Sequence, residues 1–273
     1  LACKYCQNWE ISPSRDIDTL AAPATPRALA RAAANVEAVG VAFTYNDPVV
    51  FAEYAIDTAA ACHEAGLLTV AVSAGWISPE PCDALFGAVD AANIDLKGFT
   101  DDFYRRATGA RLADVLDTLV RVRALGTWLE ITTLLIPGRN DSDAEIAAEC
   151  AWIVSELGDE VPVHFSAFHP AHRMLDVPRT PASTLERARA IAHDAGIAHV
   201  YLGNVRTSNG SSTCCAGCGA LLVDRVGYRV ADYRITPEGA CPQCGREVPG
   251  IWDPAGPPPA VGQWWPRRVA VGA

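Results

Sequence analysis

The sequence predicts an α/β protein with a parallel sheet, either open or curled into a barrel, followed by a small β-rich unit. Between residues 25 and 205, short runs rich in Val, Ile, Phe and Thr alternate with Ala-, Glu- and Arg-rich stretches of helical spacing. Half of the 273 residues are apolar and 20% are charged, so a sizeable core can form and a disordered or fibrous chain is excluded. Five of the ten cysteines crowd the C-terminal quarter of the chain.

Strands are predicted where short apolar runs stand between turn-forming residues. They cover residues 39–45, 68–73, 93–96, 129–136, 163–168 and 199–202. Helices are predicted over residues 26–36, 49–65, 79–88, 112–125, 143–157 and 181–195. The pairs Asp141-Ser142 and Thr180-Pro181 are typical helix starts, because Ser caps free amides and Pro fits the first turn.

Composition also limits the partners and the compartment. The net charge of −10 and the pI near 5.0 argue against binding to nucleic acid or to an anionic membrane, since both require a basic surface. No apolar run approaches the ~20 residues that span a bilayer, and no signal-like segment opens the chain. We therefore expect a cytoplasmic protein. In that reducing compartment, paired cysteines are metal ligands or redox groups rather than disulfides.

The C-terminal cysteines form two CxxCG motifs, with Cys215 and Cys218 in the first and Cys241 and Cys244 in the second. Each motif offers two thiolates, and the glycine after it permits the tight turn that directs backbone amides at sulfur. Together they predict a tetrahedral four-cysteine zinc site, with an iron–sulfur centre as the alternative. The segment between them contains two short β-rich runs, as a zinc ribbon requires. Cys214, next to a ligand, is expected to be a spare thiol.

The other cysteines divide into two groups. Cys3 and Cys6 form a CxxC motif at the start of the chain. Cys62, Cys82 and Cys150 are scattered singly, and we expect them to be small buried hydrophobic residues.

Polar residues, glycine or proline follow five of the six predicted strands. The turns concerned are residues 44–48, 73–75, 95–97, 137–141 and 168–170. Any one of them is an ordinary βα turn, but five at the carboxyl ends of parallel strands predict a functional site. Asp95 and Lys97 share one face of a strand, which predicts an ion pair lining a pocket. Asp47 and Asp95 offer a second possibility, an acid–base pair, although no nucleophile motif accompanies them.

The order of these motifs resembles one branch of the radical S-adenosylmethionine enzymes. This branch is the radical enzyme of the AmmeMemoRadiSam system, related to the pyruvate formate-lyase activating enzymes. The resemblance covers about residues 1–252. It rests on Leu-Ala-Cys-Lys-Tyr-Cys-Gln-Asn-Trp-Glu at 1–10, Phe-Thr-Tyr-Asn-Asp-Pro at 43–48, Asp-Leu-Lys at 95–97, Ile-Pro-Gly-Arg-Asn-Asp at 136–141, Phe-His-Pro at 168–170, Gly-Asn-Val at 203–205 and the CxxCG pair.

The resemblance implies a [4Fe–4S] cluster that reductively cleaves S-adenosylmethionine to methionine and a 5′-deoxyadenosyl radical, which abstracts hydrogen from a substrate. It makes Cys3 and Cys6 the second and third cluster ligands. By the same resemblance, the first cluster ligand would stand two positions before Leu1. The implied cofactor contacts are Tyr5 at the adenine, Asn46 and Asp47 at the methionine amino group, Asp95 and Lys97 at the ribose or carboxylate, and Ser73 and His169 at the rim. Asp47 stands where the family more often has Glu, and the 73–75 turn where it more often has Asn.

The implied fold is a partial (β/α)6-type TIM barrel over residues 1–205, with its first strand truncated. A zinc-ribbon-like domain over 206–252 and a Pro-rich tail over 253–273 follow. The implied partners are a one-electron donor such as flavodoxin or ferredoxin, and a protein or small-molecule substrate.

Two other functions are compatible with the same residues. The chain could be a non-enzymatic zinc-binding interaction module on an α/β scaffold, with Cys3 and Cys6 an unrelated pair. It could also be a hydrolytic barrel enzyme that uses Asp47 and Asp95 and needs no cluster.

Overall fold

The computed structural model describes residues 1–11, 23–207, 210–227, 229–252 and 271. Apart from residue 271, the expected Pro-rich tail lies outside this range. The chain divides into two compact units, one that contains Leu1–Thr132 and His169–Pro178, the other Thr133–Phe168 and the described residues from 179 to 252. The proposed domain boundary at 205/206 stays a prediction.

Six parallel strands form one sheet in the order β1-β2-β3-β4-β5-β6. They are β1 Gly40–Phe43, β2 Leu68–Ser73, β3 Ala91–Asp95, β4 Trp128–Leu135, β5 Val163–Ala167 and β6 Val200–Gly203. Every predicted strand is present, with ends that differ by at most two residues, and β2 has the predicted bounds. The sequential parallel order confirms the α/β class and is consistent with the partial barrel.

Of the six longer helices in the described residues, the first precedes β1 and the other five connect consecutive strands. The six are α1 Pro26–Asn35, α2 Ala52–Glu64, α3 Pro79–Gly87, α4 Leu112–Leu125, α5 Asp143–Leu157 and α6 Ala182–Asp194. The predicted start of α5 is confirmed, because the Ser142 hydroxyl accepts a hydrogen bond from the Glu145 amide at 3.3 Å. None of the described helices is both long and apolar enough to cross a membrane.

Two segments differ from the predicted helices. Residues Pro48–Phe51 form a 3₁₀ turn before α2 rather than its first turn, with Asp47 as the capping residue. Between β3 and α4, the chain forms a short helical turn, Asp101–Phe103, that continues into a π-helical turn, Tyr104–Thr108. The second segment was not predicted. We call Asp101–Thr108 the π segment.

The isolated cysteines are core residues, as predicted. Cys62 in α2, Cys82 in α3 and Cys150 in α5 are all fully buried.

The C-terminal unit contains a second sheet of three antiparallel strands in the order β7-β8-β9. These are β7 Thr213–Cys214, β8 Leu221–Val226 and β9 Arg229–Tyr233, and the last two are the predicted β-rich runs. A small apolar cluster that includes Leu222, Val223 and Ile235 packs beside Cys215 and Cys241. This sheet has the architecture expected of a ribbon.

Candidate active site and candidate metal centre

The first unit brings together the ends of β1, β2 and β3, because parallel neighbours end at the same edge of a sheet. Asp47, in the turn after β1, joins this turn to the next one. One of its carboxylate oxygens accepts the Ser73 hydroxyl at 2.8 Å and the Val49 amide at 3.2 Å, and the other accepts the Ala74 amide at 3.0 Å. The carboxylate is therefore fixed at the rim by donors from two loops.

Gly75 permits the turn after β2. Its backbone has φ of +65°, and its amide donates to the Ser73 hydroxyl oxygen at 3.0 Å. A Cβ atom added at this position would lie 2.8 Å from a methyl group of Ile94. Glycine thus meets both a conformational and a steric requirement here.

Asp95 and Lys97 form the predicted ion pair at the end of β3. The Lys97 ammonium lies 2.6 Å from the Asp95 carboxylate, and the two side chains are 16% and 30% exposed, respectively. Burial acts to lower the pKa of Lys97, but the negative groups of Asp95, Cys3 and Asp47 outweigh it and raise that pKa. Lys97 is therefore a cation that stays protonated and that interacts with Asp95, Cys3 and Asp47.

Backbone hydrogen bonds hold residues 1–6, which we call the cysteine loop. The Ala2 and Lys4 amides donate to the Thr108 and Ala107 carbonyls of the π segment, at 3.0 and 2.9 Å. The Lys4 carbonyl in turn accepts the Arg173 amide at 2.9 Å. A π turn leaves its last carbonyls without helical partners, and these two are used to anchor the loop.

The two cysteines of this loop occupy a tight turn, in which the Cys6 amide donates to the Cys3 carbonyl at 3.2 Å. Both are free and half-buried. Burial raises the pKa of the Cys3 thiol, while the Lys97 charge opposes that rise. Two thiols on a fixed turn beside a buried cation fit the ligand side of an iron–sulfur cluster.

The remaining predicted contacts lie in the same unit, and their roles stay predictions. Tyr5 is only 4% exposed, and its ring stacks on Phe103 with the centroids 6.2 Å apart. Asn46 is exposed in the turn after β1, and His169 is half-buried.

Two aromatic groups near the cysteine loop were missed. Trp9 stacks on His172, with ring centroids 5.4 Å apart, and His172 has φ of 50°. Nothing in the local sequence of either residue indicates this contact.

The second unit contains the four-cysteine group. The Sγ atoms of Cys215, Cys218, Cys241 and Cys244 all lie within 4.8 Å of one another. The Cys215–Cys244 and Cys218–Cys241 sulfur pairs are 3.6 and 3.7 Å apart. A tetrahedral Zn²⁺ with bonds of ~2.3 Å places its sulfurs about 3.8 Å apart, so the four fit such an ion.

Backbone donors at this group follow the predicted pattern. The Gly217 amide donates to the Cys215 sulfur at 3.3 Å. Burial acts to raise the pKa of Cys215, and the amides of Cys218 and Gly217 lower it. Cys214 is exposed and lies outside the group, as expected for a spare thiol.

The six-stranded α/β sheet, the cysteine loop and the rim define a class of protein. A sequence profile of the Radical SAM superfamily, the radical S-adenosylmethionine enzymes, matches residues 1–151. The chain belongs to this superfamily.

The chain is also similar to individual proteins. An uncharacterised protein of Methanocaldococcus jannaschii is 38% identical over 247 residues, which cover 90% of this chain and 73% of that protein. A 4-hydroxyphenylacetate decarboxylase activating enzyme of Clostridioides difficile is 27% identical over 111 residues, 40% of this chain and 35% of that enzyme.

Solved structures agree on the fold. A domain of a pyruvate-formate lyase-activating enzyme from Bacteroides vulgatus has a TM-score of 0.54 and 18% identity, and the match covers 60% of this chain and 99% of that one. SuiB of Streptococcus suis has a TM-score of 0.58 at 9% identity, over 74% of this chain and 46% of that one. At these identities the likeness concerns the fold alone.

Proposed function

We propose that the protein is a radical S-adenosylmethionine oxidoreductase, similar to glycyl-radical activating enzymes, that abstracts hydrogen from a protein or small-molecule substrate. The observation that carries the proposal is the placement of Lys97 beside Cys3, Asp95 and Asp47 in one unit. Superfamily membership supports a cofactor site at this arrangement, and neither a zinc-binding module nor a hydrolytic barrel explains why a cysteine should lie there.

When bound, the cluster and S-adenosylmethionine supply one-electron cleavage of the sulfonium and a 5′-deoxyadenosyl radical. The residues of the chain bind and orient. Cys3 and Cys6 ligate iron on a loop anchored by backbone hydrogen bonds. Asp47 and Asn46 receive the cofactor's amino group. The Asp47 carboxylate suits this contact, because three donors already fix its position.

The other proposed contacts concern the rest of the cofactor. Asp95 and Lys97 meet the ribose or the carboxylate, where a buried ammonium is a strong partner for an anion. Tyr5 lies toward the adenine, and Ser73 and His169 complete the rim. The buried apolar residues around this edge, such as Phe43 and Leu96, limit access of water to it.

The activating enzyme among the relatives supports a partner polypeptide as the substrate, with a small molecule as the alternative, and it supports a one-electron donor such as flavodoxin or ferredoxin as the reductant. The acidic chain is expected to act in the cytoplasm.

For the second metal centre we propose structural Zn²⁺ bound by the four C-terminal cysteines. Sulfur spacing close to that of a tetrahedral ion supports this proposal. Zinc there would hold a unit whose apolar core is small.

Metal analysis tests both centres. The chain, extended at its N-terminus so that a cysteine stands two positions before Leu1, is reconstituted anaerobically with iron and sulfide. We expect about four iron atoms and one zinc atom per chain. Cys6→Ser should lose most of the iron and keep the zinc, whereas Cys214→Ser should keep both. Zinc without iron in the parent protein would overturn the proposed activity in favour of a zinc-binding module.

A further inference from the structure

The second unit contains a cavity between the segment that precedes α6 and the segment that follows β6. Its volume is about 470 Å³, and its lining residues are Arg179, Thr180, Pro181, Ala182, Val205 and Arg206. Because Val205 and Arg206 come shortly after the last residue of β6, the cavity lies at the carboxyl edge of the sheet, where parallel α/β proteins bind ligands. None of the residues assigned to the cofactor or to zinc lines it.

The charge of this cavity is opposite to that of the chain. Arg179 and Arg206 are cations and no lining residue is acidic, whereas the whole chain has a net charge of −10. Within the part of the chain that the structure describes, neither guanidinium is paired with a carboxylate. By contrast, Arg105, Arg106 and Arg111 each contact an aspartate at 2.8 Å or less. Two cations in one cavity without a counter-charge favour the binding of an anion.

Hydrogen bonds fix one wall of the cavity before any ligand binds. The Thr180 hydroxyl donates to the carbonyl of Leu135, the last residue of β4, at 2.6 Å. It also accepts the Phe168 amide at 3.0 Å, and the Thr180 amide donates to the Phe168 carbonyl at 3.1 Å. Thr180 is only 1% exposed, so the backbone next to Arg179 is held against the ends of two strands.

The Arg179 guanidinium is oriented but not neutralised. It donates to the Asn204 carbonyl at 2.8 Å, which uses one of its N–H groups and leaves the others for a ligand. The first amides of α6 add weaker donors at the same cavity, because the capping residue Pro181 supplies no side-chain acceptor for them. The two arginines carry the charge of the site.

We propose that this cavity binds an oxyanion between Arg179 and Arg206, the carboxylate or phosphate of a small molecule or the carboxylate side chain of a polypeptide. The planar fork of a guanidinium matches two oxygens of either group. The acidic chain as a whole argues against nucleic acid as the source of the anion. This site goes beyond the proposed function, since binding requires neither the cluster nor S-adenosylmethionine.

The test is a titration of the full, isotopically labelled chain, followed by nuclear magnetic resonance. The probes are inorganic phosphate, succinate and an otherwise uncharged peptide with a single glutamate, with sodium chloride at equal ionic strength as the blank. The Thr180 and Ala182 amides report on the cavity. The variants are Arg206→Gln alone and combined with Arg179→Gln. The matched control, Arg31→Gln with Arg229→Gln, removes two exposed arginines that do not line the cavity.

We expect at least one probe to shift both amides, with equal affinity in the parent and in the control. Arg206→Gln should weaken that binding about tenfold, because it removes a charge-assisted hydrogen bond, and the double variant should weaken it further. If the double variant does not fold, Arg206→Gln decides, since it keeps the bond from Arg179 to Asn204.

The probes also identify the source of the anion. Tighter binding of the glutamate peptide than of succinate and phosphate assigns a polypeptide, and the reverse order assigns a small molecule. No shift of the Thr180 and Ala182 amides with any probe would overturn the inference, and so would equal affinities of Arg206→Gln and the parent. Either result would leave the proposed function intact.

Discussion

The two cysteine-bearing regions of this protein are built in opposite ways. In the ribbon, two local knuckles bring four sulfurs within 4.8 Å of one another, and nearby amides direct hydrogen bonds at them. In the cysteine loop, the backbone is held by segments distant in sequence, the π segment and the turn that contains Arg173. The cysteines of both regions are visible in the sequence as CxxC motifs, whereas the tertiary hydrogen bonds that hold the cysteine loop are not.

The largest expected effect is the loss of the ribbon metal. Cys241→Ser removes one of four thiolates, and the neighbouring thiol of Cys214 lies outside the group, so we expect loss of zinc and unfolding of the three-stranded sheet. Zinc content and near-ultraviolet circular dichroism measure this. Cys214→Ser, which alters an exposed neighbour outside the group, should retain both signals. Equal metal retention in the two variants would contradict the four-cysteine assignment.

The two units differ in how their buried ionisable groups make stability depend on pH. Lys97 in the first unit has a charged partner, whereas Glu149 in the second is buried with a hydrogen bond from the Thr133 hydroxyl. Burial raises the pKa of Glu149 from 4.5 to about 8. The folded protein thus binds one more proton than the unfolded chain between these values, and stability falls as the pH rises through this interval.

Glu149→Gln should remove that dependence. We expect the parent to lose on the order of a few kcal/mol between pH 5 and pH 8, and the variant to show a flatter profile. Urea unfolding at a series of pH values measures both curves. Parallel curves would show that Glu149 is ionised in the folded protein.

Breaking the rim ion pair should have a smaller effect. Asp95→Ala leaves the largely buried Lys97 ammonium without its main partner. We expect the free energy of unfolding to fall by about 2 kcal/mol. This is less than for a fully buried pair, because both side chains are partly exposed. Asp95→Ala combined with Lys97→Met should recover part of that loss. A double variant no more stable than Asp95→Ala would argue against coupling between the two.

The variant with the smallest expected change in stability tests how the cysteine loop is anchored. Gly109 ends the π segment at φ of +80°, and Gly126 ends α4 at +81°. Alanine at either position costs roughly 1 kcal/mol of backbone strain. We expect only Gly109→Ala to speed hydrogen exchange at the Ala2 and Lys4 amides. Faster exchange of these amides in Gly126→Ala as well would show that general destabilisation, rather than the anchor, controls the loop.

Much of the scaffold is readable from the sequence. The alternation of apolar runs and helical stretches predicts all six strands, and the helix α5 begins at its predicted cap because Ser142 competes well for a free amide. The π segment was missed because it is short, although the charged pairs 101–102 and 105–106 alternate with the buried pairs 103–104 and 107–108 as in an amphipathic helix. The ion pair of Asp95 and Lys97 follows from strand periodicity.

The details of the site depend on tertiary structure. The link from Ser73 to Asp47 joins two loops, and no local pattern predicts a hydrogen bond between residues so far apart in sequence. The same holds for the stacking of Trp9 on His172. Sequence therefore identifies the functional residues better than it identifies the contacts that hold them.

The most direct test of the central claim is the formation of 5′-deoxyadenosine. The reconstituted protein, supplied with a strong one-electron reductant and S-adenosylmethionine without oxygen, is analysed for products by chromatography and mass spectrometry. We predict 5′-deoxyadenosine and methionine from the parent and from Cys214→Ser, and neither product from Cys6→Ser. A parent protein with a full complement of iron that releases no 5′-deoxyadenosine would contradict the account.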